Sequence, residues 1–320
     1  MTALAIRSFN FATKSRSGLL VVIALLVLLF FFGALISDRF RSVSNLLNVF
    51  EQSTGLALVS LGQTLTVLTG GIDLSVGSMI SLLSVLMSGT IDGEAARVLP
   101  VCIGILVLGA AIGSLNGLTV IWLRVHPLIV TLGMGALLQG VTLLYTLGPA
   151  GSVPFEFDYV AYGRLLGLPV GAVFTIALFI LVALFLRYVP FGRAIYAVGD
   201  DEIGARLMGL PRKRVLVFVY AFSGICCALT AIYLVGRFGV GNVYTGQNYT
   251  LASITPVVVG GTMLTGGRGG VIGTLFGVYL ISLLNNLLNF MDISSHYQLI
   301  VQGLIIILAV SVYVEKKRAV

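Results

Sequence analysis

Long apolar stretches, interrupted by brief clusters of glycine, proline and charge, follow one another along the whole chain. Runs of roughly 18 or more apolar residues are long enough, as helices, to cross a ~30 Å hydrocarbon layer. Apolar length set against this punctuation predicts ten spans: 18–37, 45–70, 76–90, 98–122, 127–147, 170–189, 215–235, 251–264, 271–289 and 297–314. The third and eighth are short for a straight crossing. The glycine-rich segments beside them are therefore expected to form breaks or re-entrant turns supported by neighbouring helices. The fold class is all-α, a polytopic membrane protein with about ten transmembrane helices.

Lys and Arg favour the cytoplasmic side of a membrane protein. With the N-terminus inside, the outer segments hold only Arg39, Arg41, Arg97, Arg164 and Arg237 of the 19 basic residues. The inner segments hold the rest, from Arg7, Lys14 and Arg16 through Arg124 and the 187–214 group to Arg268, Lys316, Lys317 and Arg318. Both termini are expected in the cytoplasm, with 1–17 a cytoplasmic N-terminal segment. The apolar stretch 18–37 exceeds the 7–15 residues of a secretory signal core and further spans follow it, so it is read as the first span.

Composition agrees. Apolar residues make up 58% of the chain and charged residues 10%, against about 25% charged in a soluble domain. The net charge of +7 is spread over short inter-span segments, with no groove-sized basic patch, so nucleic acid is not an expected partner. Cys102, Cys226 and Cys227 all lie in apolar runs, and the adjacent pair diverges on one helix, so buried packing is expected rather than a disulfide or metal site. No linker or composition shift divides the chain, and 1–320 is read as one membrane domain. The longest outer loop, 148–169, carries Glu156 and Asp158 among aromatic residues and suits either plain solvation or contact with a partner.

The longest hydrophilic interruption, 190–214, reads PFGRAIYAVGDDEIGARLMGLPRKR. Its centre predicts a short helix. Asp200 or Asp201 caps the start, Asp201 and Glu202 complement the positive end of the helix dipole, and Arg206 lies toward the other end. Gly209 and then Pro211 stop it. Ile203, Leu207 and Leu210, at i, i+4 and i+7, form an apolar stripe where water is expected. The bilayer surface, the protein's own bundle or a groove on a partner could cover it. The cluster Arg212, Lys213 and Arg214 suits a contact with membrane lipid.

Segment 70–78, GGIDLSVGS, separates the second and third spans. Asp73 is read as the one carboxylate set against the apolar part of a span, where a charge at the bilayer centre costs roughly 2.5–3.5 kcal/mol. Two roles are open: Asp73 accepts the amide protons of Ser75 or Val76 as a cap on the third helix, or the turn lines the inner mouth of a solute path. Segment 257–274, VVVGGTMLTGGRGGVIGT, superficially resembles a phosphate-binding loop, but no Gly-Lys-Ser or Gly-Lys-Thr follows. A tight glycine turn accounts for it, on the same face as the break at 70–71. Gly109, Gly113 and Gly117 share a helical face and let another helix come close. Gln63, Asn116, Gln139, Asn285 and Asn286 are polar residues within spans that suit helix-to-helix hydrogen bonds or solute contacts. Gln63, Asp73, Ser75, Asn116 and Asn285 are the candidates for a path or gate.

Transport coupled to ion gradients usually employs buried groups that change charge. Here Asp73 is nearly alone, since His126 and His296 fall at span ends. There is no nucleotide-hydrolysis motif, no nucleophile with a paired base and no metal-ligand spacing, so the chain is not expected to be an enzyme or to hold a cofactor. Energy for uphill transport would enter from another chain. The alternative is a secondary transporter or facilitator acting alone.

Four motifs occur in order: LGQTLTVLTGGIDLSVGS, IVTLGMGALLQGVTLLYT, GRAIYAVGDDEIGARLMGL and ITPVVVGGTMLTGGRGG. From about residue 40 to its end the chain resembles the permease subunits of bacterial ABC importers for ribose, xylose, arabinose and related sugars. The resemblance implies an inner-membrane subunit paired with a second permease copy, identical or related. It also implies a separate ABC ATPase subunit that uses the ATP, and a periplasmic sugar-binding protein that delivers the sugar. By the same resemblance, the coupling helix that seats in the ATPase includes Gly199, Asp200, Asp201, Glu202, Ile203, Arg206, Leu207 and Gly209. Family members commonly carry Gly-Gly-Asn or Gly-Asp-Asn, two residues, then Ala-Ala in this segment. The stretch from Gly199 to Ala205 departs from that pattern, which bears on the choice of partner.

Overall fold

The structure is a computed structural model that describes residues 2–313. The expectations for Lys316, Lys317 and Arg318, and for the side chains of Arg7, Lys14 and Arg16, lie outside the described residues.

Helix α1 (Thr2–Ile36) precedes α2 (Val43–Leu68), α3 (Val76–Ile91), α4 (Ala95–Leu123) and α5 (Pro127–Tyr145). The loop after α5 contains a 3-10 turn (Phe155–Asp158), the single-turn helix α6 (Tyr159–Tyr162) and a small antiparallel hairpin. In the hairpin, β1 (Arg164–Leu165) pairs with β2 (Leu168–Pro169), with Leu165 opposite Leu168. Then follow α7 (Val170–Tyr188), α8 (Pro190–Asp200), α9 (Glu202–Leu207) and α10 (Arg212–Phe238). The short helices α11 (Tyr249–Ala252) and α12 (Ile254–Val259) lead to α13 (Val271–Phe290) and α14 (Ser295–Tyr313).

Each predicted span coincides with a helix or, for 251–264, with the broken pair α11 and α12. Among the described residues, six helices are long and apolar enough to cross a membrane: α1, α4, α5, α7, α10 and α13. The protein is an all-α polytopic membrane protein. Helix α3, at 16 residues, is as short as expected.

Helix α2 has the length, 26 residues, but not the uniform apolarity, because it faces protein rather than lipid. Ser53, Thr54, Ser60, Gln63, Thr64 and Thr66 on it are all buried, and it packs against α10, α13 and α7. Helix α10 is the second axis of the bundle, packed on α4, α2 and α3. Its Cys226 and Cys227 point into different apolar clusters, one with Leu61 and Leu65 and the other with Leu83 and Met87. Both are free thiols, as is Cys102. The α4–α10 contact runs over Gly109, Gly113 and Gly117. A methyl group at these glycines would collide with Gly224 O, Tyr220 O and Val217 Cα of α10, respectively. With the side chains removed, dispersion contacts between backbones hold the pair in an apolar solvent.

The 190–214 segment holds two helices where the sequence predicts one. Pro190 occupies the first turn of α8, where its missing N–H costs nothing. Gly192, Ala194, Ile195 and Val198 form the buried face of α8 against the bundle.

Candidate functional site

The turn between α2 and α3 is where the polar residues converge. Helix α2 ends at Leu68, and Gly70 takes a left-handed φ of +78° that a side chain would strain. Gly71 N–H then donates back to Thr66 O at 3.0 Å. The chain so reversed carries Asp73 into the interior, where it is fully buried.

Asp73 accepts three hydrogen bonds. The Ser75 hydroxyl and backbone N–H donate to Oδ1 at 2.6 and 3.0 Å, and the Ser223 hydroxyl of α10 donates to Oδ2 at 3.0 Å. Asn116 Nδ2, from α4, donates to Ser75 Oγ at 2.9 Å. Gln63 of α2, with its amide oriented to satisfy both groups, donates to Asp73 O and accepts from Asp73 N, each at 3.2 Å. From α5, the Thr131 hydroxyl donates to Ile72 O at 3.0 Å and accepts from Leu74 N at 3.1 Å. Hydrogen bonds to a charged group contribute about 1.5–3 kcal/mol each, so these donors offset part of the cost of burying the carboxylate.

Four of the five path or gate candidates, Gln63, Asp73, Ser75 and Asn116, are thus one cluster. Asn285 is not part of it. It lies half-buried on α13 beside Asn286, whose carboxamide exchanges 3.0 Å hydrogen bonds with Asn45 of α2. Asp73 accepts the Ser75 amide proton as expected, but Ser75 is itself the N-cap residue of α3, so the bond closes the turn before the helix rather than capping its first turn. The reading of Asp73 as the sole carboxylate against a span needs correction, because Glu51 on α2 is also buried. It escaped notice because it sits near the polar start of its helix. Ser223 and Thr131 were missed because a hydroxyl in an apolar run usually bonds its own helix. Tyr220 OH and Asn116 Oδ1, both buried, have no hydrogen-bond partner among the described residues.

The second set lies on α8 and α9. Asp201, not Asp200, is the N-cap of α9, and its Oδ1 accepts from Ile203 N and Gly204 N, both at 3.0 Å. Asp200 is the last residue of α8. Past the end of α9, Gly209 adopts φ +75° and Leu210 N–H donates to Ala205 O at 3.0 Å, closing the helix as expected. Glu202 Oε1 lies 2.9 Å from Arg212 Nε as an ion pair without hydrogen-bond alignment, Glu202 exposed and Arg212 half-buried.

Ala205 is the buried anchor of α9, whereas Ile203 (73% exposed), Leu207 (84%) and Met208 (72%) stand free with Arg206 beside them. Leu210 leaves the predicted stripe and packs against the apolar cluster of Leu68, Ile195 and Val215. Met208, the residue that ends α9, is exposed instead. Gly199, at the end of α8, lies against the carbonyl of Leu68. Tyr196 donates its hydroxyl to Gly269 O at 3.2 Å, and burial raises its phenol above the usual tyrosine range.

The described chain is thus a bundle of apolar helices around a polar turn, with the short helix α9 exposed at its edge. Residues 45–310 match the family described as branched-chain amino acid transport system / permease component. The chain belongs to that family of ABC-importer permeases, as a multi-pass protein of the inner membrane, and the resemblance drawn from the four motifs holds at this level.

Over 304 residues it is 38% identical to the ribose import permease protein RbsC of Escherichia coli (strain K12), covering 93% of this chain and 92% of that one. It is 38% identical over 280 residues to RbsC of Bacillus subtilis (strain 168), covering 87% of each chain. With the D-allose transport system permease protein AlsC of Escherichia coli (strain K12) it shares 31% over 309 residues, covering 95% and 94%. No solved structure matches the chain.

Proposed function

We propose that this chain is the membrane-spanning subunit of an ABC importer that moves a small sugar, a monosaccharide, inward by alternating access driven by a separate ATPase. The observation that carries the reading is the free apolar face of α9. Ile203, Leu207 and Met208 project from a helix that is capped at both ends and anchored by Ala205. Ile203 and Leu207, at i and i+4 with Met208 at the cap beside them, are the kind of apolar anchors that dock a short helix in a partner's groove. The relatives support sugar as cargo, since those compared are permeases for ribose and allose.

In this reading the chain is one membrane domain of ten crossings with both termini in the cytoplasm. The segment 190–214 then faces the ATPase, which binds and hydrolyses the ATP. Gly199, Asp200, Asp201, Glu202, Ile203, Arg206, Leu207 and Gly209 form the coupling segment. A second permease copy completes the pathway, and a binding protein delivers sugar to the outer face. Closure of the ATPase pair displaces α9, and the helices rock between outward and inward openings. Gln63, Asp73, Ser75 and Asn116 line or gate the path. Sugar hydroxyls need donors and acceptors without net charge transfer, and the unpartnered Asn116 Oδ1 and Tyr220 OH supply both beside Asp73.

Reconstitution tests the reading. Liposomes with the chain, its ATPase and its binding protein are expected to accumulate sugar only with ATP inside and binding protein outside. Sugar equilibration by the chain alone would overturn the importer in favour of a facilitator.

A further inference from the structure

Three segments remote in sequence meet backbone to backbone between the coupling segment and the Asp73 turn. They are the end of α2 with Gly70, the end of α8 with Gly199, and the glycine loop with Gly266 and Gly267. Gly267 N–H donates to Leu68 O at 2.9 Å, capping the last carbonyl of α2 from another part of the chain. A methyl group on Gly199 would collide with that same Leu68 carbonyl and come within 2.7 Å of Gly267 N. One on Gly266 would come within 2.7 Å of both Gly199 O and Gly70 N, and one on Gly267 within 2.6 Å of Asp200 Cα. Tyr196 ties α8 to the same loop through Gly269 O.

Such contacts have no side chain to deform. Rotation of a long side chain can absorb a displacement of one of these segments, but main-chain atoms in van der Waals contact pass it on. The joint is also placed to matter. On one side α8 is continuous with α9 across the single residue Asp201. On the other, Gly70 leads directly to Asp73, whose hydrogen bonds reach α2 and α10 and, through Ser75, α4.

We propose that Gly266 and Gly267, clasped between Gly199 and Leu68–Gly70 and fastened by Tyr196, are positioning residues that carry movement of the coupling segment into the Asp73 turn. This rests on the importer reading of the previous subsection. It adds the loop 265–270 and Tyr196, which lie outside the coupling helix, to the machinery of coupling.

The test uses the reconstituted complex of permease, ATPase and binding protein, with Gly266→Ala and Tyr196→Phe. Three quantities are read: co-purification of the ATPase, ATP hydrolysis, and sugar taken up per ATP. A misfolded permease lowers all three. Loosening of the joint lowers only the last, by about tenfold for Gly266→Ala and about threefold for Tyr196→Phe. A ratio equal to wild type in both variants overturns the proposal. If Gly266→Ala does not reach the membrane, Tyr196→Phe decides alone, and a wild-type ratio there overturns it too. The wild-type control separates the two readings: uptake without ATP would sink the importer, whereas ATP-driven uptake with an unaltered ratio in the variants would sink only the joint.

Discussion

Gln63 holds Asp73 by its main chain, not by its carboxylate. The amide of one side chain meets both the N–H and the C=O of the other residue, 3.2 Å from each. The carboxylate is thereby left to Ser75 and Ser223. The turn is held through its backbone from α2 and α5 and through the Asp73 side chain from α10.

Gln63→Leu keeps the bulk of the side chain and removes both partners. Two buried backbone groups then lose their hydrogen bonds, at about 1–3 kcal/mol each. Thermal unfolding in detergent is expected to show a marked fall in Tm. Ser223→Ala, which costs the carboxylate one donor of three, is expected to cost less, about 1.5–3 kcal/mol. A Gln63→Leu protein as stable as wild type would mean that the turn is held by other contacts.

How far the residues foretold this arrangement differs from element to element. The spans were legible because the hydrocarbon layer imposes a length and an apolarity that no other environment demands, and each predicted span meets a helix or a broken helix. Asp73, Ser75, Gln63 and Asn116 could be picked singly, as polar groups where polarity is costly. Their meeting could not be read, since it depends on how α2, α4 and α10 cross. Asn285 looked equivalent and sits elsewhere. Helix α8 was missed for another reason. Its buried face of Gly192, Ala194, Ile195 and Val198 is short and small-residued, and Pro190 at its start reads equally well as a breaker. The two glycine breaks are expected on one face of the membrane, and the structure brings Gly70 and Gly266 into contact with each other.

Gly104 and Gly113 lie on the same helix, and their surroundings predict opposite results. A methyl group at Gly113 would collide with Tyr220 O of α10, while at Gly104 it would meet nothing within 4 Å. Gly113→Ala is therefore expected to cost about 1–3 kcal/mol through overpacking against rigid backbone. Gly104→Ala is expected to be neutral or to stabilise by up to roughly 1 kcal/mol through its better helix propensity. Comparison of the two by thermal unfolding separates a packing requirement from a general preference for glycine in α4.

Leu207 tests what α9 is for. It is 84% exposed and contributes little to the bundle, so Leu207→Arg is expected to change stability by no more than about 0.5 kcal/mol. Placed in an apolar groove, the same arginine would be an unpaired buried charge. Co-purification of the ATPase should be lost while the permease still accumulates in the membrane. Charge reversal at Asp201 and Glu202 together with Leu207→Arg should likewise abolish uptake, although Asp201 also costs the helix its N-cap, about 1 kcal/mol. Full uptake by the triple variant would deny α9 its coupling role.

Sidedness follows from two exposed residues at opposite ends of the proposed topology. Leu166, at the tip of the β1–β2 hairpin, is 97% exposed, and Ile203 on α9 is 73% exposed. The native thiols of Cys226 and Cys227 are fully buried and give little background; Cys102 is half-buried, and its replacement by Ala removes the rest. If inner and outer segments are sorted by their basic residues, Leu166→Cys reacts with a membrane-impermeant maleimide in intact cells. Ile203→Cys then reacts only after the membrane is opened. An odd number of crossings between the hairpin and α9 is required for that result; of the two helices between them, α7 is long and apolar enough to cross and α8, at 11 residues, is not. Labelling of both sites from the same side would therefore remove α7 from the membrane, and labelling of Ile203→Cys in intact cells would remove the cytoplasmic placement of α9.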